Sequence, residues 1–257
     1  MHTTLRVRRY NPEQDHPSPY YQEYDLAFDP SDSVLDGLIK VRETIDDSLT
    51  LRCSCRGAIC GSCGMRINGH AALACKTKII SVAPLGETID VEPMNNMPVI
   101  KDLVTDMAPF WEKIRQIQPW LRPAEPAPVA EYLAPPESMN HLAGVMSCIM
   151  CGVCVSDCTV LEVDTNFLGP AALAKAYRFV ADHATSPHQT VWRPSMNQAA
   201  CGIARAVWNV FRSAQKASGR WIELWHCDQR AWRATYHPPA VPGMQKYSRT
   251  SSSIKAF

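Results

Sequence analysis

The chain has 257 residues, 46% of them hydrophobic, enough to bury real cores and to favour two domains over one. Its 26 basic and 25 acidic residues leave a net charge of +1, and no basic stripe interleaves with aromatics, which argues against a nucleic-acid partner. The opening MHTTLRVRRYNPEQ lacks a signal-peptide core and no stretch reaches bilayer-spanning length, so a cytoplasmic or equivalent reducing compartment is expected. In such a compartment, the eleven cysteines read as metal ligands rather than disulfides.

In TLRVRRY, Leu5 and Val7 alternate with Arg6 and Arg8, and in YDLAF the residues Tyr24, Leu26 and Phe28 share one face. Two half-buried antiparallel strands are expected. Ser33, with Asp36 three residues on, forms a capping signal, followed by Val34, Leu38, Val41 and Ile45 on one face of a helix.

The next stretch carries Cys55, Cys60, Cys63 and Cys75 as C-x4-C-x2-C with a distant fourth, the spacing of plant-type 2Fe-2S sites. Four thiolates must converge from a wrapped loop, and Gly57, Gly61 and Gly64 let the backbone approach and hydrogen-bond the sulfurs. Zinc is the competing reading, disfavoured because zinc knuckles favour paired C-x2-4-C units, which a four-residue gap with this glycine content fits poorly. Cys53 falls outside the ligand spacing and reads as an ordinary thiol. Arg52 and Arg56 flank Cys55 and either stabilise a reduced cluster or simply form a solvated basic loop.

Further on, VIKDLVTDMAPFWEKIRQI has helical periodicity. Pro123, Pro126, Pro128, Pro135 and Pro136 then mark an exposed irregular connection. Cys148, Cys151, Cys154 and Cys158 form a C-x2-C-x2-C-x3-C run, the ferredoxin spacing in which the fourth cysteine serves another cluster. GPAALAKAYRFVAD opens with Gly169-Pro170 and reads as a helix burying Leu173, Tyr177 and Val180.

SCRGAICGSCGMRINGHAALAC, PVIKDLVTDM, CIMCGVCVSDC and FLGPAALAKAYRF, in this order, resemble the iron-sulfur subunit of succinate dehydrogenase or of the related fumarate reductase, as far as about Asp182. The resemblance implies an α+β chain: a β-grasp 2Fe-2S ferredoxin domain at 1–100, then an all-α dicluster ferredoxin-like domain at 101–183. It implies that Cys55, Cys60, Cys63 and Cys75 hold the 2Fe-2S cluster, and that Cys148, Cys151 and Cys154 hold a 4Fe-4S cluster. Cys158 would serve a 3Fe-4S cluster, or become the fourth ligand of a rearranged one. The implied partners are a FAD-containing flavoprotein subunit, membrane-anchor subunits and quinone, with the chain peripheral on the cytoplasmic side of the plasma membrane. The family usually has proline where this chain has Thr159, a departure expected to alter the local turn. A soluble ferredoxin-type carrier, the subunit of another oxidoreductase and a zinc-binding module are the competing functions.

The family needs three more cysteines in a C-x5-C-x3-C-P-K-G stretch, but only Cys201 and Cys227 follow, and they fit no ligand position. Nor do Cys201, Cys227, His226 and His237 show the C-x2-C or H-x3-H pairs of a separate metal site. Beyond residue 183 stand Trp192, Trp208, Trp221, Trp225 and Trp232, five of the seven tryptophans, without periodicity. Tryptophan has one codon, TGG, and NTGG read one base earlier gives leucine, methionine or valine. Reading residues 203–227 from each third nucleotide permits CTRCLECVQVCPKGVGPMDRIMAL, which contains the missing run. One nucleotide is therefore expected to be missing near the codons for Asp182 to Ala184, and 184–257 to be a non-family, poorly ordered tail.

Overall fold

A computed structural model describes residues 1–121, 129–140 and 142–182, all within one compact unit. The expectations for 184–257, including the tryptophans, Cys201 and Cys227, lie outside the described residues, as do Pro123, Pro126 and Pro128.

A five-stranded mixed sheet forms the N-terminal half, in the order β2-β1-β5-β3-β4. Strand β1 (His2–Arg9) pairs antiparallel with β2 (Tyr20–Ala27). It pairs parallel with β5 (Ile89–Glu92). Strand β3 (Gly64–Ile67) joins β5 and forms a hairpin with β4 (His70–Leu73), through a turn at Asn68 and Gly69, both with positive φ. Helix α1 (Val34–Thr44) starts in the expected capping box, with Ser33 Oγ and the Asp36 carboxylate each accepting the other residue's amide. It buries Val34, Leu38 and Val41 against Leu5, Val7, Leu26 and Ile89. Ile45 does not continue that face: it caps the helix and is 54% exposed. Gly37 is where helix meets sheet, since a Cβ there would stand 2.8 Å from Leu26 Cδ2. A short helix α2 (Ile79–Val82) completes this half.

The segment at 99–117 is not one helix. Strands β6 (Val99–Lys101) and β7 (Val104–Thr105) form a tight hairpin, and helix α3 (Ala108–Gln116) follows. The hairpin wins over helical periodicity because Asp102, at φ +47° and 1% exposed, is held by groups distant in sequence. Its carboxylate accepts from Arg9 Nε at 2.9 Å, from the Tyr10 amide at 3.0 Å and from the Thr50 amide at 2.9 Å. Arg9 also donates to Asp46 Oδ2 at 2.6 Å, to Ser48 Oγ at 2.9 Å and to Gln22 and Tyr24, and the Tyr24 hydroxyl donates to Asp46 at 2.6 Å. This network joins β1, β2, the turn after α1 and the β6–β7 hairpin.

Burial pushes the Asp46 carboxyl up, but hydrogen bonds from Ser48, Tyr24 and Arg9 outweigh it and hold the group well below the usual carboxylate range. A depressed folded-state value contributes stability that is present above the unfolded value, about pH 4, and is lost as pH falls below it. Urea unfolding of the chain at stepped acid pH therefore shows a loss of stability below about pH 4 that Asp46→Asn flattens. An equal acid slope in the variant would remove Asp46 from the account.

Short helices follow: α4 (Pro136–Asn140), α5 (Ala143–Met146), α6 (Val153–Ser156), α7 (Thr159–Val163) and α8 (Pro170–Val180). Residues 129–135 are exposed and irregular, as the prolines predict, although Pro136 begins α4. Pro170 stands at the start of α8, behind Gly169 at φ +85°, and Leu173 is buried, whereas Tyr177 is 41% exposed. The side chain of Val180 lies outside the described residues. Thr159 is the first residue of α7, the position where proline is itself tolerated, so the helix forms there without it. A second core gathers Met94, Met97, Phe110, Ile114, Leu161 and Ala172.

Candidate iron-sulfur site

The β3–β4 hairpin explains how a distant fourth cysteine returns to the first three. Cys63 immediately precedes β3 and Cys75 closely follows β4; Gly64 pairs with Leu73, and the Ala74 amide donates to the Cys63 carbonyl at 3.1 Å. Both cysteines thus emerge at one end of the hairpin, beneath the loop that carries Cys55 and Cys60. Cys63 is buried, Cys75 half-buried, and Cys55 and Cys60 are exposed.

Main-chain amides converge on the sulfurs. Those of Gly57, Ile59 and Cys60 each lie 3.3 Å from Cys55 Sγ, and the Ala58 amide lies 3.3 Å from Cys75 Sγ. The Cys55 amide reaches Cys60 Sγ at 3.5 Å. Arg56 and Ala58 adopt positive φ, an unfavourable conformation for non-glycine residues that turns these amides inward. Of the three glycines expected to approach sulfur, Gly57 donates to Cys55 Sγ, whereas Gly64 begins β3 and donates to the Gly61 carbonyl, and Gly61 packs against Cys151.

The thiols fall into two pairs, Cys55 with Cys60 and Cys63 with Cys75. Hydrogen bonding by Ser62, whose hydroxyl is 3.1 Å away, and then by the Cys55 and Ser62 amides, pulls Cys60 down to about 6. Burial first, then its Cys75 and Cys60 neighbours, pushes Cys63 up to about 12. Cys60 is therefore exposed and readily ionised, whereas Cys63 is sheltered. No three His, Cys, Asp or Glu side chains among the described residues are arranged around a single metal ion. Amides aimed at sulfur and two thiol pairs suit a two-iron, two-sulfide group, in which each iron takes two thiolates. Arg52 is committed elsewhere, donating to the Thr105 carbonyl at 2.9 Å. Cys53 packs against the first core.

The second run wraps a separate point. Burial raises Cys154 to about 12, helped by Cys151 and Cys148, and burial raises Cys151 with help from Cys148. Those three thiols are mutual neighbours. Burial pushes the Lys113 ammonium down, and Asp164 and Cys158 oppose that shift. Lys113 Nζ also donates to the Thr165 and Phe167 carbonyls, fastening α3 to the loop before α8.

Three residues absent from the sequence reading hold the two regions together. The Asp157 carboxylate accepts from Arg66 at 2.7 Å and from the Ala71 amide at 3.1 Å, tying the β3–β4 hairpin to the second run. Asn96 Nδ2 donates to the Val155 carbonyl at 2.8 Å and the Cys158 carbonyl at 3.1 Å. The Asn95 amide donates to Ser156 Oγ at 3.0 Å. No local motif announces these long-range bonds.

Residues 4–112 match a family described as a 2Fe-2S iron-sulfur cluster binding domain, so the N-terminal half is a ferredoxin-type domain with a mixed sheet. The chain is 40% identical over 180 residues to a fumarate reductase iron-sulfur subunit of Mycobacterium tuberculosis, covering 69% of this chain and 72% of that protein. It is 36% identical over 204 residues to a mitochondrial succinate dehydrogenase iron-sulfur subunit of Candida glabrata, covering 77% of this chain and 80% of the relative. A third relative, the corresponding Dictyostelium discoideum subunit, is 39% identical over 186 residues, 64% of its own length. Among solved structures, a chain of the Mycobacterium smegmatis Sdh1 complex in the apo form superposes with a TM-score of 0.64 at 28% identity, over 75% of this chain and 80% of that one. The chain belongs to the family of succinate dehydrogenase and fumarate reductase iron-sulfur subunits.

Proposed function

We propose that this chain is the electron-transfer subunit of a succinate dehydrogenase, accepting electrons from a FAD-containing flavoprotein subunit and passing them towards quinone. The observation that carries the reading is the loop of amides around Cys55, Cys60, Cys63 and Cys75, in a chain of this family. These four residues hold the 2Fe-2S cluster, which supplies one-electron chemistry when bound. The chain's own part is to position it, donate hydrogen bonds to its ligands and shelter the Cys63–Cys75 side. Cys148, Cys151 and Cys154 would hold a 4Fe-4S cluster in the family's arrangement, and Cys158 would serve a 3Fe-4S cluster or, with the other three, complete a rearranged one. The short helices after β7 belong to an all-α second domain. No described helix is long and apolar enough to cross a membrane, which suits a peripheral subunit docked on membrane-anchor subunits at the cytoplasmic face.

The second domain lacks ligands for two complete clusters, and we attribute the shortage to residues after about 183 being read one nucleotide out of frame. The permitted C-x5-C-x3-C-P-K-G reading supports this, and the matched stretches stop short of the whole chain. Resequencing the gene around the codons for Asp182 to Ala184 decides it: an intact frame with no lost base rejects the attribution.

Co-expression with a flavoprotein subunit carrying covalent FAD tests the function. Succinate is expected to bleach the visible absorption of the reconstituted pair. Reduction by dithionite but never by succinate would instead favour an independent ferredoxin-type carrier. Reduction of fumarate faster than oxidation of succinate would favour the second reading, a fumarate reductase subunit, for which the Mycobacterium tuberculosis relative speaks.

A further inference from the structure

The two cysteine groups meet at a single glycine. Gly61, between Cys60 and Cys63, has φ +74°, and a Cβ built on it would stand 2.6 Å from the Cys151 Cβ and 2.8 Å from its Cα. Real Cβ atoms do not approach other carbons so closely. Relief would require the Cys151 backbone itself to move, because the obstructing atoms are not the far end of a flexible side chain. Nearby, a Cβ on Gly64 would lie 3.0 Å from Met94 Sδ and 3.4 Å from the Cys151 carbonyl oxygen. The first loop therefore rests directly on Cys151, with no side chain between them.

This approach is held from both sides. Asp157, next to Cys158, is bonded to Arg66 and Ala71 of the hairpin that carries Cys63 and Cys75. Asn96 binds the carbonyls of Val155 and Cys158. On the next residue, Gly152, a Cβ would stand 2.9 Å from Met97 Cε, so the second run is also packed against the chain leaving β5. A contact fixed by so many separate bonds is part of the architecture rather than an incidental touch.

We propose that Gly61 is a positioning residue for electron exchange between the two cysteine groups. Its bare Cα lets Cys151 seat against the main chain linking Cys60 to Cys63, giving one unbroken van der Waals path from one group to the other. The inference rests on the assignment of Cys60 and Cys63 to the first cluster and of Cys151 to the second. Electron tunnelling weakens steeply with each added gap between packed atoms. A methyl at residue 61, strained by the positive φ as well as by the clash, would open such a gap.

The test uses the full chain loaded with iron and sulfide, as wild type, Gly61→Ala, Asp157→Asn and the control Gly144→Ala, whose added Cβ meets nothing within 4 Å. Two quantities are read: microwave-power saturation of the reduced 2Fe-2S EPR signal, which a reduced, rearranged cluster on Cys148, Cys151, Cys154 and Cys158 would alter, and alkylation of Cys151 in the iron-free chain by peptide mass spectrometry. Gly61→Ala is expected to keep the 2Fe-2S signal but to saturate at severalfold lower power, and to alkylate severalfold faster at Cys151. Asp157→Asn, which loosens the same contact without crowding the loop, moves both readouts in the same direction, and Gly144→Ala moves neither. Equal saturation and equal Cys151 alkylation in wild type, Gly61→Ala and Asp157→Asn overturn the proposal while leaving the functional reading intact. Absence of any 2Fe-2S signal from the wild type overturns the functional reading itself.

Discussion

Cys63→Ser abolishes the first cluster: the purified variant loses its visible absorption and its reduced EPR signal, whereas Cys53→Ser retains both. The two residues differ by ten positions along the chain but occupy opposite roles in the fold. Cys63 sits at the root of the β3–β4 hairpin, 3% exposed and paired with Cys75, where iron would replace the thiol protons of both. A serine there offers a harder oxygen donor in place of the soft thiolate that iron-sulfur centres take. Without a cluster, it also leaves a buried hydroxyl in need of a partner. Cluster binding is coupled to folding, so thermal stability of the loaded chain falls with the absorption. Cys53 packs against the first core as a small apolar group, and its replacement costs packing but removes no ligand. Retention of the cluster in Cys63→Ser would show that the ligand assignment is wrong.

Arg9→Met destabilises the chain by about 3–5 kcal/mol, the usual cost of leaving a buried ion pair half made. Arg9 is 4% exposed and is held between Asp102 and Asp46, at 2.9 Å and 2.6 Å. Burial alone would lower the guanidinium value, but its bonds to Asp102 and Asp46 raise it above the ordinary range, so the cation is secure. Methionine fills much of the volume yet strands the Asp102 carboxylate, which is 1% exposed, beside two remaining amide donors. Urea unfolding measures the loss, and adding Asp102→Asn to Arg9→Met is expected to recover part of it. Asparagine removes the stranded charge and keeps an oxygen for the Tyr10 or Thr50 amide. A loss below about 1 kcal/mol, the range of exposed salt bridges, would mean that water reaches the network.

What could be read from the sequence was local. The Ser33–Asp36 box, the alternation in β1 and β2 and the Gly169-Pro170 start of α8 depend on residues within a few positions of one another, and the structure has them as expected. The C-x4-C-x2-C part of the first cysteine group is a local spacing along one loop, and the structure turns main-chain amides towards Cys55, Cys60 and the distant Cys75 there. Elements whose conformation is set from afar were not legible. The segment at 99–105 has the periodicity of a helix but becomes a hairpin, since Asp102 answers to Arg9, Tyr10 and Thr50. Ile45 and Tyr177 continue a helical face on paper, yet α1 ends before Ile45 and nothing buries Tyr177 fully. Arg52, for which the sequence leaves open a cluster-stabilising or a solvated role, donates to the Thr105 carbonyl. At the site itself, Asp157, Asn96 and the seat of Gly61 on Cys151 carry no sequence signature, because each is defined by a residue in the other cysteine region.

We propose a succinate dehydrogenase-type iron-sulfur subunit in which Cys55, Cys60, Cys63 and Cys75 hold a 2Fe-2S cluster and the remaining cysteines are too few to complete both other clusters. Quantitative EPR with iron and acid-labile sulfide analysis of the full-length chain tests it most directly. The account predicts a reduced 2Fe-2S signal at close to one spin per chain and no oxidised 3Fe-4S signal. Signals from all three clusters in this polypeptide, or a colourless protein binding zinc, would contradict it.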